Sequence, residues 1–263
     1  MNPFFFGSSK SPLYGVYHPP RAGSGAPKAV LTCYPMGAEY MRAHRAFRQL
    51  TTLLVKNGAH VLRFDYFGTG DSAGDGAEVS VARWIEDIGV AIEELKEMAQ
   101  TSTVTLVGLR LGGTLAALAA SGRSDVAQVV LWDPIIDGDR YVREMIDKHR
   151  AEQAARGGRS DSGTAGVHGF PVTAAMQTEL RQLDLRQWSG AGIGRIDVVT
   201  SSEQPDAHAL VLELERRAAR ASGMICPSNG KWDESDAFGS ALIPQSIIQG
   251  VIGCVLGEGA QAA

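Results

Sequence analysis

Cysteine is scarce. The 263 residues hold three, Cys33, Cys226 and Cys254, far apart and without Cys-x-x-Cys or Cys/His ligand spacing. That pattern excludes a disulfide framework and a thiolate metal cluster, so the expectation is three reduced thiols, no metal and a cytoplasmic location. A surplus of positive charge is missing too: 25 Lys and Arg stand against 29 Asp and Glu, for a net charge of −4. A nucleic-acid partner would call for a basic patch or stripe, and none is expected. Long apolar runs are also lacking. The longest, residues 104–120, is broken by Arg110 and by glycines, which suits a buried α/β core better than a membrane span. The opening Met1-Asn2-Pro3-Phe4-Phe5-Phe6-Gly7 has neither the basic start nor the apolar stretch of a secretory signal. No phosphate-binding glycine loop occurs, and no cofactor is expected.

What is present is an ordinary globular composition, 44% hydrophobic and 21% charged, at a length that one α/β domain accommodates. Phe4-Phe5-Phe6 and Leu13 to Tyr17, split by a Gly/Ser/Pro turn, read as an antiparallel hairpin. Strands then alternate with helices. Ala29 to Tyr34 is a buried strand, a loop runs from Pro35 to Arg42, and apolar spacing predicts a helix from about His44 to Lys56. The strand His60 to Asp65, a helix from Val81 to Met98 and strands at Val104 to Val107 and Gln128 to Trp132 follow. From 138 to 188 the alternation breaks into a charged helix, a Gly/Ser-rich stretch and a helix starting near Thr173. This excursion reads as a cap insertion, with 1–137 and 189–263 as the core. The strand Arg195 to Thr200, a helix from about Asp206 to Ser222 and a terminal helix through Ile247-Ile248 complete the chain. The pattern predicts an α/β fold, a mostly parallel sheet covered by helices on both faces.

The organising stretch is Val107-Gly108-Leu109-Arg110-Leu111-Gly112-Gly113, where a β-branched strand ends at glycine and two more glycines open a small-residue helix. With Pro35-Met36-Gly37 after one strand and Asp65-Tyr66-Phe67-Gly68-Thr69-Gly70-Asp71-Ser72 after the next, its order and spacing resemble the α/β-hydrolase superfamily. The similarity is greatest to the serine-aminopeptidase-like branch that includes the exosortase-associated hydrolases, in which Gly-Leu-Arg-Leu-Gly stands at the elbow. The resemblance covers most of the chain outside the cap. It implies an α/β-hydrolase fold, a strained elbow that lifts residue 110 above the sheet, and an oxyanion hole made by the Leu111 amide with Met36 or Gly37. It implies only loosely a setting in the biosynthesis of lipids, polysaccharides or small natural products.

The family's triad needs a serine at 110, an acid after a late strand and a histidine near the C-terminus. Here position 110 is arginine, the last histidine is His208, and the expected histidine loop reads Asn229-Gly230-Lys231-Trp232-Asp233-Glu234-Ser235-Asp236. A guanidinium cannot attack a carbonyl, but it can offer a planar positive fork to a carboxylate, phosphate or enolate. Two readings of Arg110 stay open: a ligand anchor, or a plug paired with Glu39 or Asp133. Asp133 closes a strand at the ligand-binding face and reads as a base, a partner of Arg110 or a turn initiator. His168 is the candidate imidazole from the cap. Met36, Gly37, Glu39 and Leu111 are the candidate substrate-binding residues, with Tyr40, Arg42 and His44 beyond them. Cys33 reads as a buried inert thiol and Ser72 as a structural turn residue, while Glu203 and Asp206 follow the strand that would carry an acid.

The expected function is that of a divergent α/β-hydrolase-fold protein without the triad. It would act on, or bind, an acyl, ester, thioester or carboxylated small molecule. The alternative is a pseudo-hydrolase that serves as a ligand-binding or scaffold protein, for which a homodimer is an open possibility.

Overall fold

The structure, a computed structural model, describes residues 1–20, 28–155, 166–167, 170–217, 219–228, 232 and 244–257. Phenylalanine-rich β1 (Asn2–Phe6) turns back into β2 (Leu13–His18), whose alternating burial marks an antiparallel strand with one face inward. The following strands, β3 (Ala29–Cys33), β4 (His60–Phe64), β5 (Val104–Leu109) and β6 (Val126–Trp132), are largely buried runs. They are the strands that helices cover on both faces. β9 (Arg195–Thr200) and β10 (Ala221–Ile225) extend the sheet to eight strands in the order β1-β2-β4-β3-β5-β6-β9-β10, parallel from β4 onward.

The helices are α1 (Gly37–Lys56), α2 (Val81–Ala99), α3 (Leu111–Ala119), α4 (Gly138–Ala155), α5 (Ala174–Arg181), α6 (Pro205–Arg216) and α7 (Gln245–Leu256). Phe47 and Leu50 of α1, and Ile88 and Ile92 of α2, are fully buried in the core. None of the helices among the described residues is long and apolar enough to cross a membrane.

The chain reverses its winding between β3 and β5: from β3 it moves outward to β4, then returns to place β5 on the other side of β3. Loops leaving the carboxyl ends of two such strands diverge and leave a crevice, which is where open α/β sheets hold ligands. Met36 and Gly37 leave one side of this crevice, and Arg110 leaves the other.

Between β6 and β9 the chain forms α4, a two-residue hairpin of β7 (Gly166–Val167) with β8 (Phe170–Pro171), and α5. The ends of this excursion are sewn together by the Asp137–Asp184 bridge, by Gly138 N–H to the Leu183 carbonyl at 2.8 Å, and by Leu185 N–H to the Ile136 carbonyl at 3.0 Å. The excursion is also tied to the sheet layers by Glu179 of α5, whose Oε2 accepts the first two amides of α2, Val81 at 2.7 Å and Ala82 at 3.3 Å. A carboxylate there satisfies orphan donors and faces the positive end of the helix dipole.

Two expectations need correction. Helix α1 begins at Gly37, not near His44, because Ala38, Glu39, Tyr40 and Met41 continue the helix behind a glycine that reads locally as loop. Helix α6 stops at Arg216, and part of the stretch assigned to it is the edge strand β10. Its Ala-Ser-Gly start carries almost no β-propensity, so only pairing with β9 reveals it.

Candidate functional site

The elbow is built by close backbone approach. A Cβ at Gly108 would lie 2.4 Å from the Gly112 carbonyl oxygen, and one at Gly112 would lie 2.3 Å from the Cys33 carbonyl oxygen. Only glycine lets α3 start pressed against the ends of β5 and β3. Arg110 absorbs the turn at φ 53° and ψ −123°, with its amide donating to the Trp132 carbonyl at 2.9 Å. Three non-glycine residues among those described have positive φ, and Gln100 simply caps α2. The other two, Arg110 and Asp133 (φ 42°), end the neighbouring strands β5 and β6. Such conformations cost of order 1–3 kcal/mol each and cluster at functional sites.

Arg110 is anchored by Glu39, in the first turn of α1: Nε donates to Oε1 at 2.9 Å. The Glu39 side chain is 7% exposed and the Arg110 side chain 24%. Tyr141 of α4 donates its hydroxyl to Glu39 Oε2 at 3.3 Å, and its ring centroid lies 5.9 Å from the Arg110 Cζ. Burial works against the guanidinium charge, but Glu39, Tyr141 and Asp133 together more than offset it and the Arg110 pKa is raised. The ion pair occupies Nε alone. Among the described residues Nη1 and Nη2 have no hydrogen-bond partner.

Asp133 is placed otherwise. Its Oδ1 accepts the Ser201 amide at 2.7 Å, the Ser201 hydroxyl at 3.0 Å and Gln204 Nε2 at 3.1 Å, and its Oδ2 accepts Trp232 Nε1 at 3.3 Å. Burial pushes its pKa up, partly countered by those donors and by the charge of Arg110. Of the two acids expected to pair with Arg110, Glu39 does so. Asp133 makes no hydrogen bond to it. The Trp232 indole packs edge-on to Trp132 with centroids 5.3 Å apart, and its carbonyl accepts from Arg42 Nη1 at 3.1 Å.

Two cavities open at this face. One, of about 60 Å³, is lined by Met36, Gly37, Glu39, Arg110, Tyr141 and Phe170 among others. The second, of about 250 Å³, is walled mainly by apolar groups, including Met41, Val79, Trp84 and Pro171. The two share Met36, Gly37 and Phe170. A larger hollow of about 470 Å³ between α6 and the β9–β10 edge is lined by none of Arg110, Glu39 and Asp133.

The remaining candidates sort as follows. Leu111 is fully buried at the start of α3. His168 lies outside the described residues. His44 is exposed on α1, one turn and more beyond Glu39. The Cys33 thiol is fully buried, and burial pushes its pKa up to about 12, so it is inert. Ser72 braces the β4 turn, its hydroxyl donating to the Asp65 carbonyl at 2.5 Å and accepting the Tyr14 amide at 2.8 Å. Asp206 pairs with Arg140 at 2.7 Å. Tyr141, Trp232, Ser201 and Gln204 escape sequence reading, since no local pattern links them to residue 110 or 133.

The sheet order, the crevice between β3 and β5, and the strained elbow define an α/β-hydrolase fold. Residues 26–157, half of the chain, match the family described as serine aminopeptidase, S33, and the chain belongs to that family. A 68-residue stretch is 40% identical to the mitochondrial palmitoyl-protein thioesterase ABHD10 of Rattus norvegicus, spanning 26% of this chain and 22% of that protein. The mouse alpha/beta hydrolase domain-containing protein 10 superposes with a TM-score of 0.62 at 15% identity, covering 98% of both chains. The bottromycin epimerase BotH, solved with bottromycin A2, superposes with a TM-score of 0.62 at 18% identity and full coverage of both chains. At these identities the structural likenesses speak for the fold.

Proposed function

We propose that this chain is an α/β-hydrolase-fold protein in which arginine stands where the family places its nucleophile, and that it binds the anionic end of an acyl or carboxylated small molecule. The observation that carries this reading is the guanidinium at the elbow, held by Glu39 through Nε while Nη1 and Nη2 stay without a partner among the described residues. A guanidinium fork so placed can give two parallel N–H bonds to a carboxylate. The amide of Leu111 at the start of α3, with Met36 or Gly37 opposite, supplies the oxyanion-type donors that complete an anion cradle.

Serine-type hydrolysis has no agent at this elbow. Arginine cannot become an alkoxide-like nucleophile. The stretch after β10, where the family carries its histidine, presents the Trp232 indole to Asp133, and an indole N–H donates but does not shuttle protons. A ligand with an acyl character accords with the thioesterase named above. In titration calorimetry, wild type should bind octanoate saturably and Arg110→Met should weaken it at least tenfold. Equal affinity in the two proteins refutes the anchor.

The strain held at Arg110 and Asp133 favours a second reading, in which the cradle stabilises an enolate-like or tetrahedral anion during turnover. A panel of short and medium acyl esters and thioesters tests it. Product formation that disappears in Arg110→Met supports catalysis, and absence of product beside Arg110-dependent binding supports a binding protein.

A further inference from the structure

The cavity around Arg110 is the smaller of the two at this face, about 60 Å³ against about 250 Å³. Its lining carries the charged groups of Glu39 and Arg110, which suit it to a polar head group. The neighbouring cavity, of about 250 Å³, is roomier and more apolar. Its walls include the side chains of Met41, Val79, Trp84 and Pro171, with few polar groups. Filling it with a flexible apolar chain removes that surface from water, the favourable direction for burial.

The two cavities meet at a shared wall. It consists of Met36, Gly37 and Phe170, the residues common to both linings. Gly37 contributes no side chain, and a Cβ built on it would lie 3.8 Å from Phe170 Cδ2. The side chains that narrow the passage are therefore those of Met36 and Phe170. The Phe170 ring comes from the β7–β8 hairpin. Its neighbour Pro171 is seated close over the β4–α2 loop, so that a Cβ at Gly76 would lie 2.7 Å from Pro171 Cγ.

Resting on the anchor proposed for Arg110, we infer that the second cavity is the chain site of the same ligand. The ligand is then a linear carboxylic acid or its acyl derivative of medium length, with its charged end at Arg110, its chain passing over Gly37 and Phe170 setting the chain length. The residue acts on specificity by occupying space. Removing its ring widens the passage between the cavities, while bulk added at Val79, which lines the second cavity and not the first, shortens the chain site without touching the Arg110 cavity.

Titration calorimetry with butyrate, octanoate, dodecanoate and uncharged methyl octanoate tests this on wild type, Phe170→Ala, Val79→Phe and Arg110→Met. Wild type should favour octanoate over butyrate at least tenfold. Val79→Phe should erase that preference by weakening octanoate, and Phe170→Ala should move the optimum to dodecanoate, which also covers the case in which Val79→Phe fails to fold. An octanoate-to-butyrate ratio unchanged in the folded variants, with binding still dependent on Arg110, overturns the chain site and leaves the anchor standing. Methyl octanoate binding that responds to Phe170 and Val79, beside acid binding indifferent to Arg110, overturns the anchor and keeps the apolar site. No binding of any of the four ligands to wild type overturns both.

Discussion

Glu39 is at once the support of Arg110 and its competitor. The carboxylate fixes the guanidinium through Nε, yet it also neutralises part of the field that an anionic ligand would meet. Glu39→Gln keeps the shape and removes the charge, so two opposite effects are expected. Stability should fall by about 2 kcal/mol, less than for a fully dry pair because the Arg110 side chain is a quarter exposed. That is a drop in Tm of roughly 5 °C for a chain of this length. Carboxylate affinity should rise several-fold in the same protein, read by calorimetry with octanoate; a fall in affinity would mean that Glu39 acts only as a positioner. Residue 110 and its glycines were legible in the sequence, because a strand ending in Gly-x-Arg-x-Gly-Gly leaves few backbones to choose from. The choice between Glu39 and Asp133 as partner was not. Both acids are local to the face, and only the bonds Asp133 accepts from Ser201, Gln204 and Trp232 assign it elsewhere.

Elements that hold the site were legible where periodicity is strong, as along α2, and illegible where a pairing partner decides, as at β10. The start of α1 matters most for function. By beginning at Gly37, the helix carries Glu39 in its first turn, under Arg110 and within reach of Tyr141. The excursion that brings Tyr141 and Phe170 depends in turn on Glu179, which caps α2 through two amide bonds. Glu179→Ala should cost about 1 kcal/mol, seen as several-fold faster hydrogen exchange at the Val81 and Ala82 amides. It should also loosen octanoate binding by freeing the wall that Phe170 forms. Unchanged exchange at those two amides would show that α2 is capped sufficiently by Ser80, whose hydroxyl accepts the Arg83 amide at 3.1 Å.

Across the whole molecule, acid should weaken the fold through its histidines. His18 accepts a bond from Arg63 Nε at 3.3 Å, and burial, then the Arg63 charge, push its pKa down to about 4 from the ordinary 6.5. The unfolded chain therefore binds the proton first. This group's contribution to stability is intact above pH 6.5, declines as pH falls toward 4 and is level below that. In urea unfolding at pH 7.5, 6, 5 and 4, His18→Gln should show a shallower decline than wild type over that window, and parallel curves would contradict the assignment. Asp65, Asp87 and Asp133 act in the other direction, since burial raises their pKa values and protonation relieves it. The crevice between β3 and β5 has a consequence at this scale. Its two lips leave strands that are hydrogen-bonded neighbours, Cys33 beside Gly108, although β4 and α2 intervene in the chain. No fragment of the protein can assemble both lips without closing the centre of the sheet. Ligand occupancy is therefore thermodynamically a gauge of global folding: a molecule that binds here recognises the native state alone, and each tenfold rise in its concentration above Kd should add about 1.4 kcal/mol to the stability of the entire sheet.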